Sequence, residues 1–129
     1  MTQAAEPPHL TRPQVLRKRT DFLRAARAGR AHTPAFTLQA RDRSDASPDG
    51  GVRVGFTCSK KVGNAVARNR AKRRLRAIAA DVFPRLGKSG WDYVLIGRPN
   101  VTASHPFQQM AADLETALAK VHSARRPKG

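Results

Sequence analysis

The chain has 129 residues, 25 of them Lys or Arg against 9 Asp or Glu, giving a formal net charge of +16 and a pI of about 11.7. That length supports one domain with a modest core and excludes two of ordinary size, and the charge implies a polyanionic partner, nucleic acid ahead of a membrane surface. The single cysteine, Cys58, excludes an internal disulfide, and neither a membrane span of about 20 apolar residues nor a signal-peptide core is present, so a cytoplasmic protein with no membrane association is expected.

Residues 1–13 hold Pro7, Pro8 and Pro13 with little apolar content and are expected to be an extended or disordered N-terminal segment, with the folded domain spanning 14–122. Thr20 predicts the cap of a helix over 21–28, stopped by Gly29, with Leu16 packing back onto it. A strand is predicted over 35–40, with Phe36 and Leu38 on one face. Residues 41–51 read as a polar connection. Its aspartates, Asp42, Asp45 and Asp49, lack the spacing of a calcium loop and read as solvated. Residues 52–59 alternate: Val52, Val54, Phe56 and Cys58 should face the core, and Arg53, Gly55, Thr57 and Ser59 should form a floor that RNA approaches, above all at Gly55.

Residues 59–76 read SKKVGNAVARNRAKRRLR, and no acid follows until Asp81. On a helix turning about 100° per residue, Ala67, Ala71, Leu75, Ile78 and Val82 form one apolar stripe. Arg68, Lys72 and Arg76 stand away from that stripe at i, i+4 spacing, where each like-charged pair costs about 0.2 to 0.5 kcal/mol. Asn64 predicts the N-cap, so Lys60, Lys61 and Arg68 also crowd the positive end of the helix dipole. An ordinary solvated face interleaves Glu and Asp with its cations; this one is arranged for a polyanion.

Residues 84–90 read as a turn, and 91–97 as a short central strand, apolar on both faces, whose Trp91 and Tyr93 belong to the core or its rim. Ser104 predicts the cap of a last helix with Phe107, Met110, Leu114, Ala117 and Val121 on its inner face. Its acids, Asp113 and Glu115, mark it as structural cover. Residues 123–129 are expected to be a basic, disordered tail. The order of elements indicates an α+β sandwich, helices packed on one small sheet. The acids are scattered, and His9, His32, His105 and His122 form no motif and read as surface or capping residues. No catalytic residue and no metal site is expected in the protein, because phosphodiester cleavage needs clustered carboxylates or convergent histidines.

The run Lys60-Lys61-Val62-Gly63-Asn64-Ala65-Val66, followed by Arg68-Asn69-Arg70, Lys72-Arg73 and Arg76, resembles the Arg-Asn-Arg signature of the protein subunit of bacterial ribonuclease P. The resemblance implies a single-domain α/β sandwich of the ribosomal S5 domain 2-like type, with about four strands, three helices and a left-handed βαβ crossover around the basic helix. Patterning alone favours the right-handed connection. It further implies an endoribonuclease whose catalytic RNA, using Mg2+, removes the 5′ leader from precursor tRNA. The protein would bind no cofactor and need no protein partner. Lys60, Lys61, Asn64, Arg68, Asn69, Arg70, Lys72, Arg73 and Arg76 would then dock on the catalytic RNA. Phe22, in an Asp21-Phe22 pair that the family shares, would meet the leader with Phe36, Arg27, Arg17 and Lys18. A second aromatic, frequent in the family one turn later, is Ala26 here. The rival readings are a structural ribosomal-type RNA-binding protein and a protein-only nuclease.

Overall fold

The computed structural model describes residues 14–43 and 51–124. The elements follow as β1 (Gln14–Val15), α1 (Arg19–Ala26), β2 (Gly29–His32), β3 (Phe36–Asp42), β4 (Arg53–Thr57), α2 (Ala65–Leu86), β5 (Trp91–Gly97) and α3 (Phe107–Ala124). The strands form one mixed sheet in the order β1-β4-β5-β3-β2. The apolar β5 is central, as its composition demands, pairing parallel with β4 and antiparallel with β3. The basic helix α2 is the crossover between β4 and β5.

Helices cover both faces of this sheet. One face carries Leu38, Ala40, Val54, Tyr93 and Leu95, which pack with Leu75, Ile78 and Val82 of α2 and with Met110, Leu114 and Leu118 of α3 into the main core. The other face is arranged in rows by strand register: Arg53, Asp92 and Arg41, then Gly55, Val94 and Gln39, then Thr57, Ile96 and Thr37. Among the described elements only α1 covers it, through a small cluster of Leu16, Ala25 and Val94 flanked by Phe22 and Ile96. Part of that face therefore stays open.

The α+β sandwich is the expected one, with five strands instead of about four. Both unforeseen strands are polar and short. Gly29–His32 pairs as a hairpin with β3 because Thr33 closes the Thr33-Pro34-Ala35-Phe36 turn, its N–H and hydroxyl both donating to the Phe36 carbonyl at 2.9 and 2.7 Å. Gln14–Val15 is a two-residue ladder on β4. Several boundaries also differ. Helix α1 starts with Lys18 at its N-cap and no side-chain cap, so Thr20 lies inside it, and it ends before Gly29, which belongs to β2. Helix α2 runs through Pro84 to Leu86, into the predicted turn. Arg41 and Asp42 extend β3, and Ser104 caps nothing because its hydroxyl donates to the Asn100 carbonyl within the turn before α3. Phe107 is 40% exposed although the rest of its stripe is buried. Helix α3 takes in Ser123 and Ala124 of the predicted tail. The expectations for residues 1–13, Asp45, Asp49 and 125–129 lie outside the described residues.

Two polar features lock the layers. Asp92, wholly buried on β5, receives Arg53 in a fork: Nε donates to Oδ1 at 2.7 Å and Nη2 to Oδ2 at 2.8 Å. Arg43 Nε lies 3.3 Å and Arg41 Nη1 3.6 Å from the same carboxylate, and Arg53 also reaches Asp21 of α1 at 3.5 Å. Burial lowers the Arg43 pKa, with Asp92 opposing, while the Asp92 hydrogen bond raises that of Arg53. On the opposite face of the same end of β5, Tyr93 Oη accepts from the Lys88 N–H at 3.0 Å and bonds His122 Nε2 at 2.7 Å; Trp91 meets the same imidazole edge-on at 4.9 Å between centroids. His122 is thus a core-rim tether, where a surface or capping role was expected.

Removing the Asp92 carboxylate leaves buried guanidinium groups uncompensated, so Asp92→Ala should lower unfolding free energy by about 3–5 kcal/mol in denaturant titration. Desolvation, and then Lys88, depress the His122 pKa from 6.5 to about 4. The unfolded chain takes up this proton first, so stability is complete above about pH 6.5 and is lost as pH falls through 4. The pH dependence of the thermal transition should show this loss, and His122→Gln should flatten it.

Candidate nucleic-acid interface

The entry to α2 is built by short-range bonds. Ser59 Oγ accepts from the Lys61 N–H at 3.2 Å and opens a 3-10 turn over Lys60–Val62. Gly63 follows at φ 142°, and a Cβ on it would lie 2.8 Å from the Ala67 Cβ, so this corner needs glycine on both counts. Asn64 then caps the helix as expected, its Oδ1 accepting from the Ala67 N–H at 2.9 Å. Arg68 folds back and donates from Nη1 to the Gly63 carbonyl at 2.9 Å. The turn therefore holds Lys60 and Lys61, both exposed, beside the positive end of a 22-residue helix.

Burial of Ala71, Leu75, Ile78 and Val82 fixes the roll of α2. Asn69, Arg70, Arg73 and Arg76 stand exposed in consequence, with Arg68 and Lys72 half-buried beside them. The predicted docking residues thus share one surface. Arg74, in the same run, is turned inward: its guanidinium donates to the carbonyls of Thr102, at 2.9 Å, and His105 and holds α2 to the segment before α3. The remaining cations of the run form no ion pair among the described residues. Cys58 lies beneath them, where burial pushes its thiol pKa up.

A groove of about 460 Å³ opens on the sheet face that α1 only partly covers. Phe22, Leu23 and Ala26 form its helical wall, Gln39, Thr57 and Val94 its floor, and Arg17 and Arg19 its cationic rim; Phe56 reaches it from the edge of β4. Phe22 is seated over Gly55, where a Cβ would lie 2.6 Å from two of its ring atoms. Gly55 is therefore closed off by this ring, which corrects the close approach of RNA expected there; Thr57, one register row further along, remains in the groove floor.

Of the residues expected to meet a leader, Phe22 and Arg17 line the groove. Phe36 is wholly buried in the opposite, main core and offers no ring face to a ligand, which corrects its assignment. Lys18 and Arg27 are exposed at the two ends of α1, outside the groove lining. Arg19, Leu23, Gln39 and Phe56 were not anticipated, whereas Thr57 was expected on the floor. The signal for Gln39 was a lone amide within an apolar strand, and that for Leu23 and Arg19 was helical adjacency to Phe22. Among the described residues no group of three or more His, Cys, Asp or Glu side chains gathers to hold a metal ion, and no helix is long and apolar enough to cross a membrane.

The chain matches the family described as Ribonuclease P over residues 10–122. It is 62% identical over 111 residues to the ribonuclease P protein component of Ruegeria pomeroyi, covering 86% of this chain and 88% of that one. It is 46% identical over 114 residues to that of Caulobacter vibrioides, covering 88% and 74%. Among solved structures, the RNase P protein of Staphylococcus aureus superposes with a TM-score of 0.65 at 26% identity, over 85% of this chain and 98% of that one. The RNase P protein from Thermotoga maritima gives 0.66 at 25% identity, with the same coverage.

Gly63→Ala tests the corner. The forced left-handed residue should cost about 1–3 kcal/mol in denaturant titration, and the circular-dichroism signal of α2 should fray first.

Proposed function

The chain belongs to the ribonuclease P protein family, and from that membership we propose that α2 and its entry turn dock on the catalytic RNA while the groove beneath α1 holds the single-stranded 5′ leader of precursor tRNA. The family's members are protein components of an endoribonuclease and work with its RNA. The observation that carries the docking role is the acid-free surface from Lys60 to Arg76. Its exposed cations lack ion-pair partners among the described residues, and they neutralise RNA phosphates and release their counterions. The groove supports the leader role, since Phe22 supplies ring surface and Arg17 and Arg19 supply charge, the two components that unpaired RNA needs.

In this reading the RNA subunit carries the chemistry with Mg2+, in the cytoplasm, and the protein contributes binding without a cofactor or protein partner of its own. The carboxylates support that division: Asp92 is held by arginines, Glu115 by Arg85 at 2.9 Å, and Asp113 accepts from Gln109 at 3.0 Å. Neutralising phosphates lets two RNAs approach and lowers the magnesium needed for assembly. Leader contacts favour precursor over mature tRNA.

The test is cleavage of a labelled precursor tRNA at low magnesium, with the protein and a bacterial ribonuclease P RNA added separately and together. Correct 5′ maturation only in the combined sample supports the proposal. Cutting by the protein alone overturns the assignment of chemistry, and RNA binding without any advantage for a leader-bearing substrate overturns the groove's role. With about eight phosphates contacted, affinity for the catalytic RNA should fall with a log-log salt slope of roughly −6 to −7. The clean docking variant is Arg70→Ala with Arg73→Ala, because Arg68 also holds the turn. It should flatten the slope by about two units while leaving the thermal transition in place.

A further inference from the structure

On the main-core side of β4, a hollow of about 220 Å³ opens at the edge of the sheet between β1 and α2. Val15 is in register with Val54, and Phe56 lies two residues further along the same strand face, so these three form its sheet wall. Ala79 and Ala80 form its helical wall with methyl groups alone, and Arg76 stands at its rim. Val15 is 54% exposed, so the wall presents apolar surface to solvent. The volume lies below the roughly 300–1,000 Å³ of a pocket for a drug-sized ligand and suits one flat ring. This hollow ends a line of cations. Arg68, Lys72 and Arg76 follow one another at i, i+4 along one flank of α2, and Ala79 and Ala80 come three and four positions after Arg76, next on that flank. The line runs beside the core-facing side of β4: Arg68 and Lys72 act on the charge of the Cys58 thiol, and the Arg76 guanidinium lies 5.7 Å from the centroid of the Phe56 ring. A phosphate backbone that follows these cations delivers its next nucleotide to the hollow.

The geometry points to a base-binding subsite for the RNA that docks on α2: one unpaired base of the catalytic RNA enters the hollow, against Phe56 and the aliphatic walls, while Arg76 meets the adjoining phosphate. The inference rests on the docking reading above and adds to it a contact that salt does not weaken. Two observations favour this occupant. The hollow continues the proposed docking surface, with which it shares Arg76, and its only charged liner is that cation. Unpaired RNA bases stack on aromatic rings and on guanidinium planes, and Phe56 with Arg76 supplies both.

The experiment titrates the protein against a bacterial ribonuclease P RNA over a range of salt. It also footprints that complex, and the holoenzyme with precursor tRNA, using dimethyl sulfate and a carbodiimide, which modify unpaired base edges. Three proteins are compared: the unaltered chain, Ala80→Leu, which fills the hollow from an exposed position on α2, and Ala80→Ser, which leaves it open. With the unaltered chain, an unpaired base of the catalytic RNA should be protected. Ala80→Leu should deprotect that base alone and weaken binding about tenfold, the equivalent of one stack, at an unchanged salt slope. Ala80→Ser should bind and protect as the unaltered chain does, and thermal transitions check that both variants are folded. Full affinity with intact protection in folded Ala80→Leu overturns the subsite. A loss that Ala80→Ser reproduces overturns it too, as does a loss with no base deprotected, which assigns the hollow to a protein segment. Deprotection in precursor tRNA in place of the catalytic RNA gives the hollow to the substrate and overturns it as well. If the unaltered chain binds the catalytic RNA without salt dependence, it is the docking reading that fails, and the subsite falls with it.

Discussion

The rest of this structure depends on one buried carboxylate. Asp92 sits on the central strand with Arg53, Arg43 and Arg41 around it, and it meets them at the row where three strands are in register. Isolated, a charge so placed would cost several kcal/mol; forked against Arg53 it becomes a fixed point that ties β3, β4 and β5 together. Arg53 passes the restraint on to Asp21 in the first turn of α1. The helix that walls the groove is thereby held at its N-terminal end by charge, and further along by the Phe22 ring on Gly55.

The arginines of this chain fall into two populations, separated by what they touch. Arg43, Arg53 and Arg74 are spent inward, on a carboxylate or on carbonyl groups, and they fix the distances between strands and helices. Arg68, Arg70, Arg73 and Arg76, in the basic run of α2, have no counter-charge among the described residues. The same residue type therefore builds the fold and equips it. Position relative to the apolar stripe decides which role each one takes, as neighbouring Arg73 and Arg74 show: one is exposed and the other ties down the segment before α3.

Most of this surface was legible in the sequence because helical periodicity and capping are local properties. The stripe of Ala71, Leu75, Ile78 and Val82, and the cap at Asn64, are where periodicity and side-chain chemistry place them. The groove was less legible, since it is made by register between strands distant in the chain. Phe36 and Phe56 both look like strand aromatics, yet one is sealed under α2 and α3 and the other stands at an edge, and no local signal distinguishes them. The roles of Arg43 and Asp92 were hidden for the same reason. A polar run next to Asp45 and Asp49 reads as loop until the partner strand is known. The β2 hairpin was missed because its strand is short and polar, although the Thr33-Pro34 turn was visible.

The uninterrupted positive ladder of α2 has a consequence for the supply of the protein. Arg68, Lys72 and Arg76 repel one another along a helix that is also the crossover of the sheet, so the strain of the unbound surface is felt by the folded state as a whole. A polyanion that binds only the folded form adds RT ln(1 + [L]/Kd), about 2.7 kcal/mol at a hundredfold excess over Kd. Under the proposed docking, copies in excess of their RNA would forgo that increment and spend more time open to proteases. The lifetime of the chain would then be tied by mass action to the amount of RNA available to receive it, a stoichiometric control that needs no separate regulator.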